Sequence, residues 1–228
     1  MTAETRPAMI SSMEQPLAVG VEIGQKRTFA WAADWPGWCR SGRSETAALA
    51  ALADYRPRYL PLAAAAGEKL TAGSREGFAV VERLQGSMTT DFGAPGAIAA
   101  ADGLAMTPED GRRCAALLVA AWEFFDQVVA GAPAELRKGP RGGGRDRDQV
   151  ADHVLGADVS YARKLGIRAS SATADPEWVA ALRAAVCRAL VQPDSPEPGS
   201  KGWPPRYYTR RAAWHLLDHA WEIQDRRS

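Results

Sequence analysis

The sequence predicts an α+β chain: a small N-terminal β-β-α-β unit followed by a four-helix bundle. Three observations carry that prediction. From Leu17 the chain alternates with period two, Val19, Val21 and Ile23 pointing one way with Gly20, Glu22 and Gly24 between them. From Thr107 onward the apolar residues repeat at helical spacing in four successive stretches. Between these halves, residues 85–106 carry Gly86, Gly93, Pro95, Gly96 and Gly103 with no periodicity.

Each element has its own signal. Residues 1–15 are polar and irregular and read as a frayed tail. The unit proper spans 16–84. Gly24-Gln25-Lys26 is a turn between the first strand and a second at Thr28-Phe29-Ala30-Trp31, which Pro36-Gly37 ends. Ser44 caps a helix whose Ala48, Leu49, Leu52 and Tyr55 share a face, and Phe78 to Leu84 reads as a further strand. Residues 85–106 read as a linker. In the half spanning 107–228, Thr107-Pro108-Glu109-Asp110 starts the first bundle helix with a cap, a proline at the first position and acids in the first turn. Cys114, Leu117, Leu118, Ala121, Trp122, Phe125, Val128 and Val129 continue its stripe. The second helix runs from about Asp148 to Leu165, with Val150, Val154, Ala157 and Tyr161 inward. Asp175-Pro176-Glu177 opens the third, and the fourth runs from Thr209 to about Asp225. Trp122, Trp178, Trp214 and Trp221 read as core residues.

Composition narrows the function classes. With 228 residues, 46% hydrophobic and 24% charged, the chain has the balance of an ordinary globular protein. A net charge of +1, with no basic half, argues against nucleic acid or a membrane surface as partner. No apolar run approaches a membrane span, and the N-terminus lacks an export signal. Cys39, Cys114 and Cys187 are odd in number and outside metal spacing, so a reducing cytoplasm is expected. No GxSxG, phosphate loop or zinc-finger pattern is present.

All three histidines lie in the helical half. His215 and His219 are i and i+4 in HLLDH, so they project from one face. His153 shares the stripe of Val150, Val154 and Ala157. With the helices alternating up and down, the second and fourth run parallel, and His153 and His215, each six residues in, sit about 9 Å below one end. Three converging imidazoles leave coordination positions open, the arrangement of a catalytic metal site. Glu222 continues the stripe, three after His219. It is the candidate catalytic residue, and a fourth ligand, a general base or an orienter of an imidazole are all open to it. A salt bridge to Arg226 at i+4 is equally open. Asp152 and Asp218 flank ligands but point away from them. Arg211 and Tyr208, four and seven residues before His215, are expected toward the mouth as cofactor- or substrate-binding groups. The same parallel arrangement would rim that mouth with Arg141, Arg145, Trp203 and Arg206.

Two segments resemble known families. DWPGWCRSGRSETAALAAL, residues 34–52, looks like the strand-turn-helix segment of the HicB-like antitoxin fold, where a Pro-Gly turn and a short strand lead into an Ala- and Glu-rich helix. VADHVLGAD, residues 150–158, and AWHLLDHAWEIQDR, residues 213–226, are similar to the two histidine motifs of the DinB/YfiT-like metalloenzyme superfamily. That resemblance covers residues 107–228, and the basic, glycine-rich loop RKGPRGGGRDRD departs from it. It implies a DinB-like four-helix bundle in which His153, His215 and His219 bind a divalent metal such as zinc or nickel. It also implies metal-dependent chemistry on a small substrate: transfer or isomerisation with a low-molecular-weight thiol such as mycothiol or bacillithiol, or hydrolysis. The arginines around the site suit an anionic substrate. A homodimer is compatible with this reading. A non-catalytic metal-sensing or interaction protein with a HicB-like module is the alternative.

Overall fold

A computed structural model describes residues 16–71, 77–139, 143–169, 173–192 and 202–227. The expected tail of residues 1–15, and Arg141, lie outside them. The chain is a mixed α+β protein with a four-stranded sheet and seven helices among the described residues: β1 Leu17–Ile23, β2 Thr28–Ala32, β3 Cys39–Gly42, α1 Glu45–Asp54, α2 Arg56–Ala65, β4 Phe78–Gln85, α3 Met88–Asp91, α4 Pro108–Ala130, α5 Arg147–Ala162, α6 Pro176–Val191 and α7 Pro205–Arg226.

The sheet order is β3-β2-β1-β4. β1 and β2, and β2 and β3, pair antiparallel, while β4 lies parallel to β1 across a crossover supplied by α1 and α2. Of these elements α2 and α3 were not expected, and β3 only through the resemblance of residues 34–52. β3 forms because Gly37, at φ +91, turns the chain back after Pro36 and lays Cys39 beside Trp31. α2 takes Pro57 in its first turn, where proline is favoured, but forms despite Pro61 inside it. Tertiary burial of Tyr59, Leu62 and Ala63 outweighs the lost backbone donor. Trp38 stacks on Tyr59 at 5.5 Å and donates its indole N–H to the Leu52 carbonyl, fixing α1 and α2 against the sheet. From the other face Phe29, Trp31 and Cys39 meet Ala99 and Trp214 of α7.

Residues 85–106 are held in place by buried carboxylates. Glu22 on β1 is fully buried and accepts from the Thr90 hydroxyl and from the Gly96 and Ala97 amides, both at 3.0 Å. Asp102 pairs with Arg210 of α7, the two side chains only 8% and 6% exposed, and Arg210 also donates to the Ala97 carbonyl. Removing one partner of such a pair strands the other at a cost of roughly 3–5 kcal/mol. Composition and missing periodicity could not reveal these anchors. One hydrophobic cluster then runs from Leu17 and Val19 through Trp38 and Tyr59 to α4 and α7.

The four long helices do not alternate in direction. The Trp203 amide, just before α7, donates to the Lys164 carbonyl just after α5, and the Arg137 amide, ahead of α5, donates to the Arg226 carbonyl at the end of α7. α5 and α7 are therefore antiparallel. Arg206 pairs with Asp110, so α4 and α7 start at the same end. Arg147 reaches the Ala132 carbonyl, and the start of α4 at Gly111 abuts Leu190 at the end of α6. So α5 and α6 run the same way. About ten residues, from Gly166 to Asp175, lead to the start of α6 and can reach ~33 Å, more than the ~24 Å length of such a helix, so they suffice to join two helices that run the same way. α7 also begins four residues earlier than expected, at Pro205.

Asp158 of α5 is buried, takes the Trp122 indole N–H at 2.9 Å, and has its carboxyl pushed up to about 7 by burial. The native state thus holds a proton that the unfolded state, near pKa 3.9, has released. This contribution to stability is complete below about pH 4 and is lost as pH rises to about 7. Asp158→Asn keeps the acceptor without the charge. In urea unfolding it should match wild type near pH 4 and exceed it by roughly 1–3 kcal/mol at pH 8.

Candidate metal centre

His153, His215 and His219 meet between α5 and α7. Each offers one ring nitrogen to a group whose atoms all lie within 4.8 Å of one another, the only such cluster of three or more ligand side chains among the described residues. The ring centroids form a near-equilateral triangle, at 5.1 Å (His153–His215), 5.0 Å (His153–His219) and 4.6 Å (His215–His219). The antiparallel arrangement accounts for the meeting: His153 lies six residues after Arg147, where α5 begins, and His219 seven before Arg226, where α7 ends. Both are therefore about 9–10 Å below the same end. Parallel helices would match His153 with His215 in depth; in the antiparallel pair its partner in depth is His219.

The electrostatics favour neutral imidazoles. Burial lowers the His215 pKa to about 2, and His219, His153, Arg211 and Arg145 push the same way. His153 is lowered too, first by burial and then by His219 and Arg145, with Glu222 opposing. His215 Nε2 and His153 Nε2 lie 3.3 Å apart. Two nitrogens bonded to one tetrahedral ion at 2.0–2.1 Å would be separated by about 3.3–3.4 Å. The His153–His215 pair therefore fits a zinc-like divalent ion in spacing, and burial favours the neutral, metal-binding form of both rings.

Glu222 lies behind this triangle. Its Oε2 is 2.9 Å from His219 Nδ1, so that nitrogen carries the proton and Nε2 faces the other rings. The hydrogen bond from His219 is the main cause that holds the Glu222 carboxyl below the usual range, and Arg226 adds to it. Arg226 binds the other Glu222 oxygen and also donates to the carbonyls of Arg137 and Arg145. Gly144, at φ +120, permits this, because a Cβ there would lie 2.6 Å from the guanidinium. The orienting contact and the Arg226 salt bridge, open alternatives in the sequence, exist together. What the sequence did not show is that Arg226 also ties the loop before α5 to the site. The Glu222–Arg226 spacing of four was its signal.

Other expected site residues are placed differently. Tyr208 is fully buried, its hydroxyl without a partner and its pKa raised by burial, so it does not reach a mouth. The antiparallel helices also scatter the expected rim. Arg145 lies by the end of α7, while Trp203 packs on Tyr161 and Tyr207 and Arg206 pairs with Asp110 at the opposite end. Arg211 does stay near the cluster, with its guanidinium 4.6 Å from the Trp214 ring and 5.7 Å from that of Tyr161, which lies 5.7 Å from His215. Its Nη1 is buried with no hydrogen-bond partner among the described residues. Asp152 is exposed, and Asp218 pairs with Arg40.

Comparison with known proteins finds no matching family model, no matching curated protein and no matching solved structure. Among the described residues, no helix is long and apolar enough to cross a membrane.

The Glu222–Arg226 arrangement makes a quantitative prediction. Arg226→Ala removes the three bonds that position Glu222 and the loop. It should weaken zinc binding roughly 10- to 100-fold in competition with a chromophoric chelator, and Arg226→Lys should recover part of the loss.

Proposed function

We propose that this protein is a divalent-metal-dependent enzyme of the DinB-like kind, with His153, His215 and His219 as the metal ligands and zinc or nickel as the ion. The observation that carries the reading is the convergence of three imidazoles, two of them held toward the neutral form by burial and 3.3 Å apart, a spacing that suits tetrahedral coordination. When bound, the ion supplies Lewis-acid activation of a water or of a low-molecular-weight thiol, for hydrolysis or for thiol transfer or isomerisation of a small substrate. The HLLDH and VADHV segments, now seen facing each other, are the resemblance on which the enzymatic class rests.

The chain's own groups divide the remaining work. His219 is held in one tautomer by Glu222, so its Nε2 lone pair is committed to the centre. Glu222 in turn accepts from Arg226, which leaves it an orienter rather than a proton carrier. Arg211, with Nη1 unpartnered near His215, binds the anionic part of the substrate, and the Tyr161 ring beside it excludes water. Partners in this reading are small molecules in the cytoplasm.

Protein purified without a histidine tag should carry about one divalent ion per chain by elemental analysis. At metal concentrations a hundred times Kd, binding adds about 2.7 kcal/mol to stability, so chelation should lower Tm by roughly 5–10 °C. His219→Ala should abolish both the retained metal and the chelator shift. Metal-free wild type with an unchanged Tm would overturn the site, and bound metal without any turnover would favour the non-catalytic sensor.

A second expectation concerns Arg211. A charge-assisted hydrogen bond contributes about 1.5–3 kcal/mol. With a charged substrate, Arg211→Ala should raise KM roughly 10- to 100-fold and leave metal content unchanged, and equal kinetics would remove Arg211 from the site.

A further inference from the structure

Across α7 from the histidines, the last turns of that helix and the β2–β3 side of the sheet enclose a cleft of about 270 Å³. Its two walls carry opposite charge. Arg27, Arg40 and Ser41 line the sheet side, and Asp218, Glu222 and Asp225 line the α7 side, with the rings of Phe29, Tyr55 and Trp221 between them.

Both arginines retain donors. Arg27 is exposed, reaches only the Ser41 hydroxyl at 3.5 Å, and forms no ion pair among the described residues. Arg40 gives Nη1 to Asp218 and lies 3.9 Å over the Tyr55 ring, while its Nε has no hydrogen-bond partner among the described residues. On the facing wall Asp218 accepts from Arg40 on Oδ1 alone, and Asp225 accepts from Arg58 on both oxygens and from the Tyr55 hydroxyl, yet their side chains stay 39% and 54% exposed and can take a further donor from solvent. Glu222 is already saturated by His219 and Arg226.

A simple anion would gain from Arg27 but face three carboxylates, and a simple cation would face two guanidiniums. A molecule carrying both charges satisfies both walls at once. Size narrows the class further. At about 30 Å³ per water, the cleft holds about nine waters, which matches a ligand of about nine heavy atoms. We propose that this cleft is a binding site for a small free α-amino acid. Its carboxylate pairs with Arg27 and Arg40, its ammonium with Asp218 and Asp225, and its side chain lies along the rings of Phe29, Tyr55 and Trp221. This site shares Glu222 with the histidine centre but does not depend on a metal being there.

Calorimetric titration of the full chain with L-alanine and L-leucine tests the proposal, with N-acetyl-L-leucine and L-leucinamide each lacking one of the two charges. Saturable binding of at least one free amino acid is expected, with each of the two blocked compounds binding at least about tenfold more weakly. Arg27→Ala and Asp225→Asn should each weaken binding by about tenfold or more, with metal content unchanged in the same samples. Absence of saturable binding up to about 10 mM would overturn the proposal. So would equal affinity for a blocked compound, or variants that bind like wild type. Because metal content and amino-acid binding are read separately, failure of one leaves the other standing.

Discussion

Helix α7 has to satisfy three environments at once, and that demand organises the rest of the molecule. Thirteen of its 22 residues are buried, far more than the single stripe of a surface helix. One face takes the sheet and its connections: Trp214 meets Phe29 edge-on at 5.9 Å, and the Pro36-Gly37 turn presses on Ala213 and Leu217. Another packs on α4, and the third turns His215 and His219 toward α5. A helix clamped on every side cannot rotate to relieve strain at one of them. The imidazole positions are thus set by packing on faces that carry no chemistry.

Charges buried beside apolar surface do the clamping. Arg210 pairs with Asp102 and lies over the Trp31 and Tyr207 rings, so it joins α7, the sheet and the 85–106 segment in one contact set. Glu22 performs the same task from the sheet side by accepting two backbone amides and a hydroxyl. Such groups are weak sources of net stability but strong sources of uniqueness, because any other register leaves a charge unpaired out of water. Arg58 and Arg40 repeat the theme at the far end of α7, each lying over the Tyr55 and Trp221 rings and paired with Asp225 and Asp218 respectively.

The histidine centre benefits from this rigidity. Burial removes the competing proton from His215 and His153, and the spacing of the rings is imposed by two helices whose ends are tied together through Arg137, Arg145 and Arg226. Preorganisation of this kind lowers the reorganisation needed to seat an ion. Glu222 stands between two regions, orienting His219 on one side and lining the charged cleft on the other.

The sequence by itself determined much of the local order and the chemistry available. Period-two alternation marked β1 and the Gly24-Gln25-Lys26 turn the start of β2, signals at Ser44, Thr107 and Asp175 marked three helix starts, and the count and spacing of three histidines singled out the candidate ligands. These are legible because capping and periodicity are properties of a few neighbouring residues. Tertiary structure decided what depends on distant partners. α2 exists because its Tyr59 finds Trp38 and the Pro36 carbonyl, in spite of Pro61. Residues 85–106 are positioned by Glu22 and Arg210, which no spacing rule connects to them. The direction of α5 relative to α7 hangs on a long connection, and a helix reads the same in either direction along a bundle axis. That direction is why His153 and His219 share a depth and why Trp203 and Arg206 lie at the end away from Arg145.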